Sequence, residues 1–263
     1  LSRHSNIAGG LETFWFDLSF TEKSLQEKNI RNWDGTRNES LEGHLARLAD
    51  FFDLNRSDVF SMAANYSSGE EFIDHFMAQY ALLFGKKRWV EKTPANVLHI
   101  ERIFAFWPKG YFIHVIRDPR DVYSSVRRSG KWAEPEVFSR LWIKFLSAYQ
   151  EAKGAVPSGS IMEVRYENLV CEPESTTRNI LGFIEEPWEE SVANFQGESS
   201  DFEKVKELTG KSSATLAQLS KPLVKNRIGA WKNELKDSNA LSELERIIQK
   251  NGFEQIWDRY KWA

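Results

Sequence analysis

Tyr111-Phe112-Ile113-His114-Val115-Ile116-Arg117-Asp118-Pro119-Arg120-Asp121-Val122-Tyr123-Ser124-Ser125 is the stretch that decides the fold. Its first six residues are nearly all apolar, the pattern of a strand covered on both faces. The run stops at Arg117-Asp118, and Pro119 suits the first turn of a helix, expected from Pro119 to about Arg128. In open α/β sheets, ligands bind beyond the carboxyl ends of strands, where helix N-termini offer free N–H groups. Arg117 at the strand end can present a planar fork to a phosphate. Ser125, eight residues on, lies about two turns into the helix and can reach the same anion. The competing reading is an Arg117–Asp118 ion pair that only caps the helix. Spacing alone leaves both standing.

Working outward, Arg88-Trp89-Val90-Glu91-Lys92 reads as a short strand, with Thr93 as N-cap and Pro94 opening a helix that carries Val97, Ile100, Phe104 and Trp107. Lys92 would then stand at the same sheet edge as Arg117, unless it is simply a solvated lysine. Downstream, a helix is expected from about Glu134 to Lys153, a strand over Ser160–Tyr166, and a helix from Pro173 through Ile184. Tyr166, at that strand's end, suits either a nucleotide contact or the core. Leu41, Leu45, Leu48 and Phe52 recur at helical spacing, as do Phe72, Phe76, Tyr80 and Phe84, which end at Gly85. Residues 13–38 and 187–226 lack clear period, with helices expected around Trp188–Phe195 and Ser238–Gln249. Strands alternating with helices predict an α/β fold, mainly a parallel sheet flanked by helices in three layers, as one domain over residues 1–263.

Composition narrows the function. A formal net charge of −3 gives no strong basic field, so nucleic acid is not an expected partner. No apolar run approaches the roughly 20 residues that cross a bilayer, and no secretory signal opens the chain. Cys171 is the single cysteine, which excludes an intrachain disulfide and a thiolate metal cluster and favours a cytoplasmic location. No metal site is expected from ligand spacing.

Taken in order, these segments resemble the sulfotransferase superfamily, especially the branch of bacterial and tyrosylprotein sulfotransferases. Arg-Asp-Pro-Arg-Asp with its later serine looks like that family's 3′-phosphate-binding motif, which implies that Arg117 and Ser125 bind there. Glu-Lys-Thr-Pro looks like the strand of the active-site lysine, here Lys92. Arg-Tyr-Glu-Asn-Leu resembles the strand that supplies the nucleotide-side tyrosine, here Tyr166. Lys221-Pro222 and Ile228-Gly229-Ala230-Trp231-Lys232 resemble the late loop over the nucleotide. Relatives often carry a basic residue where Ala230 stands, so Lys225 or Arg227 would supply that charge. His4–Thr13 resembles the stretch after the 5′-phosphosulfate loop and makes Glu12 the match to the catalytic base; His4, His99 and His114 match no catalytic motif of the family.

The resemblance implies a P-loop-NTPase-like fold and transfer of a sulfuryl group from 3′-phosphoadenosine-5′-phosphosulfate (PAPS) to an unidentified acceptor, releasing 3′-phosphoadenosine-5′-phosphate without a metal. The family's first strand and Gly-rich loop belong before Leu1 and are missing from residues 1–263, lying either upstream of them or lost by truncation, with Leu1–Ile7 expected as the helix that follows them. Two rivals remain at this level: a P-loop nucleotide or small-molecule kinase, and a non-catalytic nucleotide-binding relative. Thr209-Gly210-Lys211-Ser212-Ser213 imitates the end of a P-loop, but Val205 stands where its first glycine belongs, so it is expected to be an ordinary loop. Phe14, Trp15, Phe16 and Trp33 are either acceptor-pocket lining or core.

Overall fold

The computed structural model describes residues 1–9, 12–17, 30–31, 38–39, 41–52, 54–66, 68–130, 132–193, 225–236 and 239–262. Trp33, residues 209–213 and Lys221-Pro222 lie outside the described residues. In chain order the elements are β1 (Ile7–Gly9), β2 (Ile30–Arg31), β3 (Asn38–Glu39), α1 (Leu41–Phe51), α2 (Arg56–Ala64), α3 (Gly69–Leu83), β4 (Arg88–Val90) and α4 (Ile100–Phe106). Then follow β5 (Phe112–Ile116), α5 (Pro119–Ser129), α6 (Pro135–Ala155), β6 (Ile161–Arg165), α7 (Tyr166–Cys171), α8 (Pro173–Phe183) and α9 (Glu190–Ala193). The last helices are α10 (Trp231–Glu234), α11 (Ala240–Lys250) and α12 (Glu254–Tyr260). The chain divides into two compact units, residues 1–99 with 189–222, and residues 100–188 with 223–263.

In the first unit β1 and β4 pair in parallel, Ile7 opposite Arg88 and Gly9 opposite Val90, while β2 and β3 form a two-residue antiparallel ladder. The helix expected over Leu1–Ile7 is absent. Ser2, Ser5 and Asn6 favour turns over helix, the His4 N–H bonds back to the Leu1 carbonyl at 2.8 Å, and Ile7 and Ala8 are buried in the strand. Gly9 is required by close approach: a Cβ there would lie 3.1 Å from Ser2 Cβ and 3.3 Å from Val90 Cγ1. The helix α3 starts at the Ser68 N-cap, whose hydroxyl accepts the Glu71 N–H, and stops at Gly85 with φ +67°. Its apolar face meets Phe52, the residue after α1, which packs edge-on against Phe76 and Tyr80, with ring centres 4.9 and 4.7 Å apart. Trp15 and Phe16 are core, Trp15 donating its indole N–H to the Gly69 carbonyl at 2.8 Å.

The segment from Pro94 departs from expectation. It opens as a 3-10 turn, Pro94–His99, before α4 begins. The Thr93 hydroxyl does not cap it, because that group is bonded to Glu91 and Phe14 instead.

In the second unit β5 and β6 run parallel from Phe112 opposite Ile161 to Ile116 opposite Arg165. Strand β5 is not covered throughout: Ile116 is buried, but Val115 is 51% exposed. Asp118 caps α5 by accepting the Arg120 N–H at 2.8 Å, Pro119 opens the helix, and Gly130, at φ +73°, closes it. One core cluster gathers Tyr123, Phe138, Leu235, Leu244, Ile248 and Trp257 from α5, α6 and the last helices. The run 259–262 is held by the buried Tyr260 side chain and through its backbone. Arg165 donates to the Arg259 and Tyr260 carbonyls at 2.5 and 2.8 Å, Arg120 donates to the Trp262 carbonyl at 2.9 Å, and the Trp262 N–H donates to Asp118 at 2.8 Å.

Candidate functional site

Two clusters hold the residues singled out in the sequence. The first unit brings Glu12 and Lys92 together: the Lys92 ammonium donates to Glu12 Oε1. The lysine side chain is 68% exposed, and so open a pair contributes about 0–1 kcal/mol. The neighbouring Glu91 is bonded far more heavily. Glu91 Oε1 accepts from the Thr13 N–H at 3.0 Å, the Thr13 hydroxyl at 2.9 Å and the Thr93 hydroxyl at 2.5 Å, and Oε2 accepts from the Asn96 amide. Hydrogen bonds to a charged group contribute roughly 1.5–3 kcal/mol each, so this anchor outweighs the surface pair. Both hydroxyls also accept, Thr93 from the Phe14 N–H at 3.1 Å and Thr13 from the Trp15 N–H at 3.2 Å. Phe14 turns the chain with φ +53°, and its ring lies 5.3 Å from the Arg47 guanidinium. His4, considered as a base, is buried; its Nδ1 accepts the Asn6 N–H at 3.1 Å, and its Nε2 lies 3.6 Å from Glu189.

The second cluster surrounds the β5–α5 junction. Asp118 pairs with Arg120 at 2.6 Å, not with Arg117. Burial alone would raise the Asp118 pKa, but the Arg120 side chain and the Trp262 and Arg120 N–H groups outweigh it and hold the carboxyl below its usual range. The Asp118 N–H donates to the fully buried Glu167 at 2.7 Å, joining β5 to α7. Arg117 is turned elsewhere. It donates to the Arg227 carbonyl at 2.6 Å, lies 3.8 Å from Asp121, and places its guanidinium carbon 4.6 Å from the Tyr166 ring centre. Among the described residues its buried Nε has no hydrogen-bond partner. Tyr166 is the first residue of α7 rather than the last of the strand.

Asp121 accepts from the Gly229 N–H at 2.7 Å and the Trp231 N–H at 3.0 Å, tying the late loop to α5. Arg227 bonds to Glu234 at 2.9 Å, as does Arg128 at 3.0 Å, and the Ser124 hydroxyl also donates to that carboxylate. The Ser124 hydroxyl first, then Arg227, holds Glu234 below the ordinary carboxylate range. Ser125 is half-buried and accepts from Arg128 at 3.4 Å, while Lys225, at the other end of the Lys225–Arg227 turn, is exposed. Arg117, Tyr166 and Arg227 are thus in contact, Ser125 borders them through Arg128, and Lys225 is apart from those contacts. His114 lies on β5 with its ring 3.9 Å from Tyr149, and burial pushes its pKa down to about 4 despite Glu163 opposite it.

Residues 1–190 match the family model described as Sulfotransferase family. The chain belongs to the sulfotransferase family. Among curated relatives, an uncharacterized protein of Aquifex aeolicus is 27% identical over 179 residues, 65% of this chain and 22% of that protein. The omega-hydroxy-beta-dihydromenaquinone-9 sulfotransferase of Mycobacterium bovis is 28% identical over 108 residues, 36% of this chain and 28% of that enzyme. This chain therefore spans about a quarter of the length of those relatives. Solved sulfotransferase domains share its fold. The domain from the curacin biosynthetic pathway superposes with a TM-score of 0.61 at 18% identity, covering 96% of this chain and 91% of that one. The domain from the Synechococcus PCC 7002 olefin synthase gives 0.59 at 15% identity, over 94% and 86%.

Sequence reasoning missed part of these two clusters. Glu91 was quoted within its motif without a role, and Thr13, Asn96, Arg128 and Glu234 carried no signal beyond their polarity. Among the described residues no group of three or more His, Cys, Asp or Glu could hold a metal ion, and no helix is long and apolar enough to cross a membrane.

Proposed function

We propose that this protein transfers the sulfuryl group of PAPS to an acceptor hydroxyl or amine. The observation that carries the reading is the Glu12–Lys92 contact, a base and a cation side by side in a member of this family. In the reaction the acceptor heteroatom forms its bond to sulfur as the bond from sulfur to the 5′-phosphate oxygen breaks. Glu12 takes the acceptor proton during attack. Lys92 stabilises the charge that develops on the leaving phosphate oxygen and the transferring group. Positioning and charge stabilisation do most of the work, as in phosphoryl transfer.

Arg117 and Ser125 bind the 3′-phosphate, with Tyr166, Arg227 and Lys225 completing the nucleotide site. An anion fits the arginine: among the described residues its buried Nε–H has no acceptor, and the nearest ion pair, with Asp121, is long at 3.8 Å. The three-layer, P-loop-NTPase-like arrangement over residues 1–263 and a cytoplasmic location, consistent with the unpaired Cys171, belong to the same proposal.

The test is thermal shift with 3′-phosphoadenosine-5′-phosphate against ATP–Mg²⁺, followed by labelled PAPS with a panel of hydroxyl and amine acceptors. Stabilisation by the bisphosphate and label transfer are expected. Stabilisation by ATP–Mg²⁺ alone would reject the reading in favour of a kinase, and bisphosphate binding without transfer to any acceptor would favour a binding protein.

A further inference from the structure

We propose that Glu91 is the positioning residue of the transfer site, setting the distance between Glu12 and Lys92 without touching either side chain's substrate. The inference rests on the reading of Glu12 and Lys92 given above. Glu91 precedes Lys92 in the chain, and its carboxylate reaches the two residues that follow the reactive pair, Thr13 and Thr93.

Four donors surround its carboxylate: Thr13 N–H, both threonine hydroxyls and the Asn96 amide. Each hydroxyl also accepts a main-chain N–H, from Trp15 or Phe14, so the ring of donors is itself tied to the backbone. Thr13 is held by main chain and side chain together, which leaves the preceding peptide, and with it the direction of Glu12, little freedom. Thr93, the residue after Lys92, is tied to the same carboxylate through its hydroxyl. The exposed Lys92–Glu12 pair lacks the strength to set this geometry alone.

A glutamine keeps the shape of Glu91 and turns one acceptor into a donor that faces other donors. In Glu91→Gln, kcat for sulfuryl transfer should fall about 100-fold, the scale of a misplacement near 1 Å, while the KM for PAPS stays within about twofold. A readout independent of turnover is the NMR resonance of the Lys92 ε-ammonium group in the full chain, assigned with Lys92→Arg. Glu12→Gln should shift that resonance, and Glu91→Gln should shift it the same way with Glu12 still present.

Should Glu91→Gln not fold, Thr13→Val replaces it, with the same two changes expected and Thr13→Ser restoring both. An unmoved Lys92 resonance with unchanged kcat overturns the proposal. So does a loss confined to KM and melting temperature, the mark of a merely structural carboxylate. If the unmodified protein transfers no sulfuryl group, the proposed function fails, while the Lys92 resonance still decides the role of Glu91.

Discussion

The guanidinium of Arg117 lies over the ring of Tyr166, 4.6 Å from its centre, while one of its nitrogens donates to the carbonyl of Arg227. The tyrosine that sequence reasoning offered to a nucleotide is thus also the platform that orients the arginine. Lysine has neither the flat face nor the fork for this position. Arg117→Lys should weaken binding of 3′-phosphoadenosine-5′-phosphate at least tenfold, and Arg117→Ala more, with AMP binding nearly unchanged. Calorimetry with both ligands decides the point: equal losses would show that the arginine does not read the 3′-phosphate.

Glu12→Gln keeps a hydrogen-bonding group opposite Lys92 but withdraws the proton acceptor. Turnover should drop by two to four orders of magnitude, about the range of general-base catalysis, with bisphosphate affinity retained. Steady-state kinetics beside a binding isotherm make the check. Full turnover in the variant would remove Glu12 from the mechanism.

Asp121 is 1% exposed and accepts two main-chain N–H groups of the late loop. Asp121→Ala leaves both donors and Arg117 without their carboxylate, so a loss of about 2–4 kcal/mol in urea unfolding is expected. Proteolysis near Lys225–Trp231 should accelerate. A change below about 0.5 kcal/mol would mean that water replaces the carboxylate at no cost.

His114 sets an acid limit on the fold. Burial lowers its pKa to about 4 from an ordinary 6.5, with only partial relief from Glu163. Between those values the unfolded chain binds a proton that the folded chain does not, so stability rises with pH through this window and falls on acidification. Unfolding free energy should drop by about 2–3 kcal/mol from pH 7 to pH 4.5 on this account. His114→Gln should flatten that slope in urea melts across the range. An unchanged slope would place the acid sensitivity elsewhere.

Much of the second unit could be read in advance. The β5–α5 junction is written in local chemistry: an apolar run, an aspartate cap, a proline at the first turn and a glycine at the end. The helices α6, α8 and α11 carry equally plain periodicity. Short helices were harder. Asn55 caps α2, and Ile256, Trp257 and Tyr260 share one side of α12, but seven to nine residues give little pattern to weigh. The first strand was missed, the helix expected over Leu1–Ile7 overlapping only its first residue, because Ile7–Gly9 take their state from pairing with Arg88–Val90, far away in the chain. The site divides along the same line. Glu12, Lys92 and Arg117 stood out by motif, whereas the work of Glu91 and Asp121 is done across 78 and 108 positions, and no local spacing encodes it.

The hydrogen bonds of Arg165 and Arg120 to residues 259–262 fall on peptide carbonyls, with one side-chain contact beside them, Arg165 over the Tyr260 ring at 5.2 Å. At Arg259 and Trp262 those bonds follow the path of the chain and not its letters. Substitutions at Arg259 or Lys261 should therefore leave the seam intact, whereas N-methylation of the Trp262 peptide, which silences the N–H that meets Asp118, should open it without altering a single side chain.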